Sequence, residues 1–262
     1  MDLSIFLKKG FTLRMQRPGL PEDGPITPCL RAMAVTSAQG QPLSPVGADV
    51  ARLFSQRATR VVFIHTAGSG ITPWRGLFVL DTDYRGDGQT KSPATIGLVA
   101  HELTHLLQRE LKPRYYWPDG KLRPSLTRRW VGDSTNYMEV LAYLVGWSVE
   151  HDLTAAQAAS PGLSAAAQER YRRILKSIQD RLATLAGADV QNAARLVLKT
   201  YPDNAVYRKN YRLESRLRDG RVPPGTWHGW LRQLGFSSAT VDHILLLAAQ
   251  GQVELIDPAL FA

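Results

Sequence analysis

Two histidines four positions apart, His101 and His105, flank a glutamate in the segment Ala100-His101-Glu102-Leu103-Thr104-His105-Leu106. Residues i and i+4 of a helix share a face, so both imidazoles can reach one ion. Glu102 directly follows the first histidine, where its carboxylate can reach a water held by that ion. Two neutral ring nitrogens on a divalent metal, with a carboxylate to take the proton of the bound water, make the chemistry of metal-assisted hydrolysis. A surface helix with two unrelated histidines is the bland alternative. The flanking residues argue against it, because they predict a capped amphipathic helix by themselves. Ser92 offers the N-cap and Pro93 the first helical position, while Ile96, Val99, Leu103, Leu106 and Leu107 recur with helical period. Lys112-Pro113 stops the helix.

Two histidines leave a zinc site one protein ligand short. A metzincin-type continuation requires glycine at position 108 and histidine at 111; Gln108 and Leu111 stand there, which excludes that class. The other solution is a glutamate from a later helix. Asp133-Ser134-Thr135 can cap a helix over about residues 136–150, in which Glu139 is the one acid of the turn Tyr137-Met138-Glu139-Val140-Leu141-Ala142-Tyr143. A buried, unpaired carboxylate is costly, and ligation removes that cost. An exposed helical acid, or a salt bridge to an arginine of the 114–129 loop, accounts for the same residue. Asp133, Glu150 and His151, placed at helix ends, are rival ligands. The small Ala142 would let the second helix come close to the first.

The segments Ile96–Gln108 (IGLVAHELTHLLQ) and Glu139–Gly146 (EVLAYLVG) resemble the zincin metallopeptidases of the gluzincin type, and in particular small bacterial zincin-like domains with an HELTH-x-x-Q helix. The resemblance covers roughly residues 76–150. It implies one Zn²⁺ per chain held by His101, His105 and Glu139, with Glu102 as general base. It also implies an edge strand beside the active helix, running antiparallel to a peptide or protein substrate, for which Leu77–Asp81 is the candidate. Zincins commonly add a donor that stabilises the oxyanion of the tetrahedral intermediate. Tyr143, one turn after Glu139, leads that list; Tyr137, Tyr115, Tyr116 and His65 follow.

The rest of the chain must position these groups. Its 262 residues, 44% hydrophobic and 21% charged, suffice for one large domain or two small ones. Residues 1–59 are rich in proline and glycine and read as irregular, with a short helix around Asp49–Gln56. Arg60–His65 and Gly76–Asp81 read as buried strands of a small sheet. Later helices are expected over 164–186, 188–200, 203–218, 226–234 and 238–250. The expected architecture is α+β and mainly helical. A zincin-like core at 60–155 would carry a small sheet packed on the HExxH helix and a second ligand helix, followed by an all-helical region at 156–262.

Other signals are weaker. Lone Cys29 excludes an internal disulfide framework, and no apolar run is long enough to span a bilayer or form a signal-peptide core. A soluble, cytoplasmic protein is expected, with no membrane partner. The formal charge of +9 favours an anionic partner without naming one. Arg195–Arg221, with eight Lys/Arg, three acids and three tyrosines, suits nucleic acid, although solvated helices share that composition. It supports the second reading: a non-catalytic nucleic-acid- or protein-binding regulator with a structural or silent zincin site. Thr226–Ile244 has the length of a helix-turn-helix, but the apolar run Ile244–Ala249 favours a hairpin packed on the domain, with Trp227 and Trp230 as anchors. The Asp81–Ser92 loop lacks calcium ligands at Arg85 and Ser92 and reads as a turn.

Overall fold

The structure, a computed structural model, describes residues 12–64, 70–74, 77–81, 92–110, 136–186 and 227–255. It is a mainly helical α+β arrangement. In chain order its elements are β1 (Thr12–Gln16), α1 (Thr27–Met33), α2 (Pro45–Ser55), β2 (Thr59–Ile64), β3 (Gly70–Trp74), β4 (Leu77–Asp81), α3 (Pro93–Glu110), α4 (Asn136–Ala158), α5 (Ala165–Ala186), α6 (Trp227–Gln233) and α7 (Ser238–Leu255). The sheet runs β1-β2-β4-β3: β1 is antiparallel to β2, β2 parallel to β4, and β4 antiparallel to β3.

Two sequence expectations need correction here. Leu77–Asp81 is not the edge strand: β4 lies between β2 and β3, and the edge beside α3 is Gly70–Trp74. Pro73 and two nearby glycines hid that strand, since proline removes a ladder donor and is tolerated only at edges and bulges. The register of β3 on β4 does slip between Ile71 and Trp74. The segment 1–59 is likewise not irregular from residue 12 onward. Two of its prolines begin helices rather than break them: Pro45 opens α2 behind the N-cap Ser44, and Pro28 lies in the first turn of α1. No adjacent side chain caps α1. Instead Gln16, at the end of β1, accepts from the Ile26 amide (3.0 Å) and donates to Thr27 Oγ1 (2.8 Å), so this helix start is completed by a tertiary contact.

α3 begins as expected, with Ser92 Oγ accepting from the Thr95 amide at 3.2 Å. α4 runs eight residues beyond the expected end at 150, which puts Glu150 and His151 inside the helix rather than at its end. Ser164 and Ser237 cap α5 and α7. α6 and α7 form the expected hairpin, and Leu231, Leu234, Phe236, Val241 and Ile244 enter the same apolar core as α2, α3 and α4. That core extends from Ile26 to Ala248, so the described parts of all three expected regions share it. The expected helices over 188–200 and 203–218 lie outside the described residues. Among the described residues, no helix is long and apolar enough to cross a membrane.

One buried polar cluster joins the ends of this core. Asp152 of α4 accepts from Ser44 Oγ at 2.7 Å and from His243 Nε2 of α7 at 2.9 Å, while His151 Nδ1 stands 3.4 Å away. The hydrogen bond to Asp152 holds His243 above its ordinary value despite partial burial. Burial pushes Asp152 up, but hydrogen bonds from His151, His243 and Ser44 outweigh it and hold the carboxyl low. The stability this pair contributes is whole between the unfolded values, about 3.9 for Asp and about 6.5 for His. It is lost as pH rises through the folded value of His243, or falls through that of Asp152. His243→Ala is therefore expected to flatten the decline of Tm as pH rises above about 6.5. Thermal denaturation at fixed ionic strength checks this, and an unchanged slope would count against the pair.

Candidate metal centre

The site is built where α3 and α4 cross. A Cβ on Gly97 would stand 2.6 Å from the Gly146 carbonyl oxygen, and one on Gly146 would stand 2.7 Å from that of Gly97 and 3.0 Å from His101 Cβ. The two backbones therefore touch. The contact was expected of Ala142, which is also fully buried, but glycine at 146 makes it. Gly97 meets Gly146 while the later His101 and His105 meet the earlier Glu139, so the helices are antiparallel. His101 follows Gly97 by about one turn and Glu139 precedes Gly146 by about two, which brings the ligand candidates together.

His101 Nε2 and His105 Nε2 are 3.1 Å apart, and each lies 3.4 Å from Glu139 Oε2. All three residues are buried, and this group could hold a metal ion. On the same two helices Leu103, Leu106, Val140 and Leu144 are also buried. In such surroundings the charges must satisfy one another. Burial raises the Glu139 carboxyl, but the imidazoles, His105 foremost, outweigh it and hold it far below the ordinary carboxylate range. Burial lowers the His105 imidazole, yet Glu139, and then Glu102 and Gln108, hold it above its usual value. The corner thus favours a positive charge between its three atoms, as a proton or as a cation.

Glu102 is buried on α3, near enough to His105 to contribute to that shift. The Tyr143 ring lies against His101, centroids 4.4 Å apart, and against Trp147 at 4.8 Å; the Arg181 guanidinium of α5 covers Trp147 at 5.0 Å. Gln108 Oε1 is 2.8 Å from His105 Nδ1. Sequence reasoning used Gln108 to exclude a metzincin and as the last residue of the HELTH-x-x-Q resemblance, but gave it no role, although its spacing of three from His105 was visible.

Of the rival ligands, His151 belongs to the Asp152 cluster and Glu150 lies three turns along α4 from Glu139, opposite Arg181. Asp133, Tyr115, Tyr116, His65, the side chains of Tyr137, Trp227 and Trp230, and the basic stretch 195–221 lie outside the described residues. No protein-family model matches the chain, and neither does any curated protein or solved structure compared with it. Its chemistry is therefore read from its own atoms.

Gly146→Ala is expected to destabilise the fold by about 1–3 kcal/mol, since the added methyl meets backbone rather than a yielding side chain. The substitution removes a helix-interior glycine, which alone would stabilise by about 0.5–1 kcal/mol. A Tm equal to or above that of the wild type would mean the helices do not touch there.

Proposed function

We propose that the protein is a zinc-dependent metallopeptidase of the gluzincin type, with His101, His105 and Glu139 as zinc ligands and Glu102 as general base. The observation that carries this reading is the ligand triangle, with edges of 3.1, 3.4 and 3.4 Å. Ligands at about 2.0–2.1 Å from a tetrahedral zinc stand about 3.3–3.4 Å from one another. The donor atoms therefore already have the spacing of three corners. Two imidazoles and one carboxylate are also the donor set of a catalytic rather than a structural zinc site, leaving the fourth position to water or substrate. A structural site would have no use for Glu102.

Zinc bound there would lower the pKa of a water to about 7 and polarise a peptide carbonyl. Glu102 would take a proton from the attacking water as the water oxygen bonds to the carbonyl carbon. It returns the proton to the amine nitrogen as the C–N bond breaks. The extended substrate chain pairs with β3, which has a sheet neighbour on one side only among the described strands and lies beside α3. Tyr143 is the described tyrosine beside the cluster and the candidate oxyanion donor.

Elemental mass spectrometry of gel-filtered protein should find about one zinc per wild-type chain and its loss in Glu139→Gln. Zinc affinity should rise with pH, because His105 must release a proton to bind. Zinc retained in Glu139→Gln would move the third ligand elsewhere, and a wild type that takes up no zinc would end the peptidase reading. Glu102→Gln should keep its zinc and lose peptide hydrolysis by at least about 10²–10⁴-fold. Full turnover in that zinc-loaded variant would remove Glu102 as the base.

A further inference from the structure

A histidine binds a metal through one ring nitrogen only when the proton of the neutral ring sits on the other. The two histidines of this site differ in how that choice is made. His101 Nδ1 is buried with no hydrogen-bond partner among the described residues, so no acceptor holds a proton on that nitrogen. The Tyr143 ring against it restrains the plane of the imidazole but cannot choose between its nitrogens. His105 Nδ1, in contrast, lies 2.8 Å from Gln108 Oε1. A carbonyl oxygen can only accept, so this contact requires the proton on Nδ1.

We propose that Gln108 is a positioning residue that holds His105 in the Nδ1–H tautomer, so that its Nε2 presents a lone pair to the corner shared with His101 and Glu139. The proposal rests on the metal reading of the site for its purpose, but not for its geometry. In the opposite tautomer, a lone pair on Nδ1 would face the Gln108 oxygen at 2.8 Å, and the Nε2 proton would occupy the metal corner. Gln108 is fully buried on the same helix, three residues from His105, where i,i+3 neighbours meet side by side. The ligand and its support therefore come from one rigid element, and α3 sets up this half of the site without help from α4. His101 lacks an equivalent acceptor, so a lost Gln108 cannot be compensated there.

The test compares wild type, Gln108→Leu and Gln108→Glu. The glutamate keeps an acceptor for Nδ1–H; the leucine keeps much of the volume and no acceptor. Nitrogen-15 NMR of the metal-free proteins, at a pH where His105 is neutral, reads the tautomer directly. The wild type and Gln108→Glu should show Nδ1–H, and Gln108→Leu a mixture or the reverse. Zinc affinity by chelator competition should fall about 10–100-fold in Gln108→Leu and stay within a few-fold in Gln108→Glu. The Co²⁺-substituted proteins should show a ligand-field spectrum altered only in the leucine variant. Wild-type His105 found as Nε2–H overturns the proposal, whether or not Gln108→Leu folds. So does a leucine variant that binds zinc as tightly as the wild type. A wild type that holds the Nδ1–H tautomer but binds no zinc instead defeats the metal reading and leaves the positioning role standing.

Discussion

The backbone contact between Gly97 and Gly146 is the constraint on which the site depends. Helices normally pack about 8–10 Å apart, a distance set by the side chains between them. Where both sides present glycine, the spacing falls to what the backbones allow. Imidazole and carboxylate side chains are short, and they can converge to 3.4 Å only from helices brought this close. The same contact sets the register: a shift of one residue along α4 would rotate Glu139 by about 100° away from α3.

Closeness alone would not keep the helices aligned along their length. α4 is held at its far end by Asp152, about 20 Å along the axis from Glu139. There Ser44 and His243 bring the N-cap of α2 and the second turn of α7 to the same carboxylate. Asp49 of α2 adds a second tie by accepting from the Ser237 amide at the start of α7. Near the site, the stack of Tyr143 on Trp147 and Arg181 fastens α4 to α5. α4 is thus fixed by polar contacts toward one end and aromatic contacts toward the other, with apolar packing between. A cluster of ionisable groups in a buried core requires that rigidity, because small displacements would leave charges unpaired at a cost of several kcal/mol.

Much of α3 was legible from the chain. Its cap, its proline at the first turn, its apolar stripe and the spacing of His101 and His105 are local features, and each survives folding unchanged. α5, α6 and α7 were also readable, to within about five residues, whereas only the second half of α2 was expected. The misses share a different cause. β1 and β3 are edge strands with weak local signals, and β3 contains Pro73. α1 starts on a cap supplied by Gln16, ten residues away from Ile26. Each becomes regular only because another part of the molecule satisfies its backbone.

The third member of the cluster shows the same division. The chain alone specified two nitrogens and a neighbouring carboxylate on one helical face, because a 3.6-residue period turns spacing into direction. It put Glu139 ahead of Asp133, Glu150 and His151 as the third member but could not show that it meets the other two, since the spacing between separate helices says nothing about distance. Tertiary packing decided that point: two glycines let two backbones meet, and their meeting put the Glu139 carboxylate opposite both imidazoles. It also assigned Glu150 and His151 to other neighbours, Arg181 and Asp152, and gave Gln108 a partner in His105. Local order is written in short-range periodicity, whereas convergence depends on which surfaces can approach, and that is a property of the folded whole.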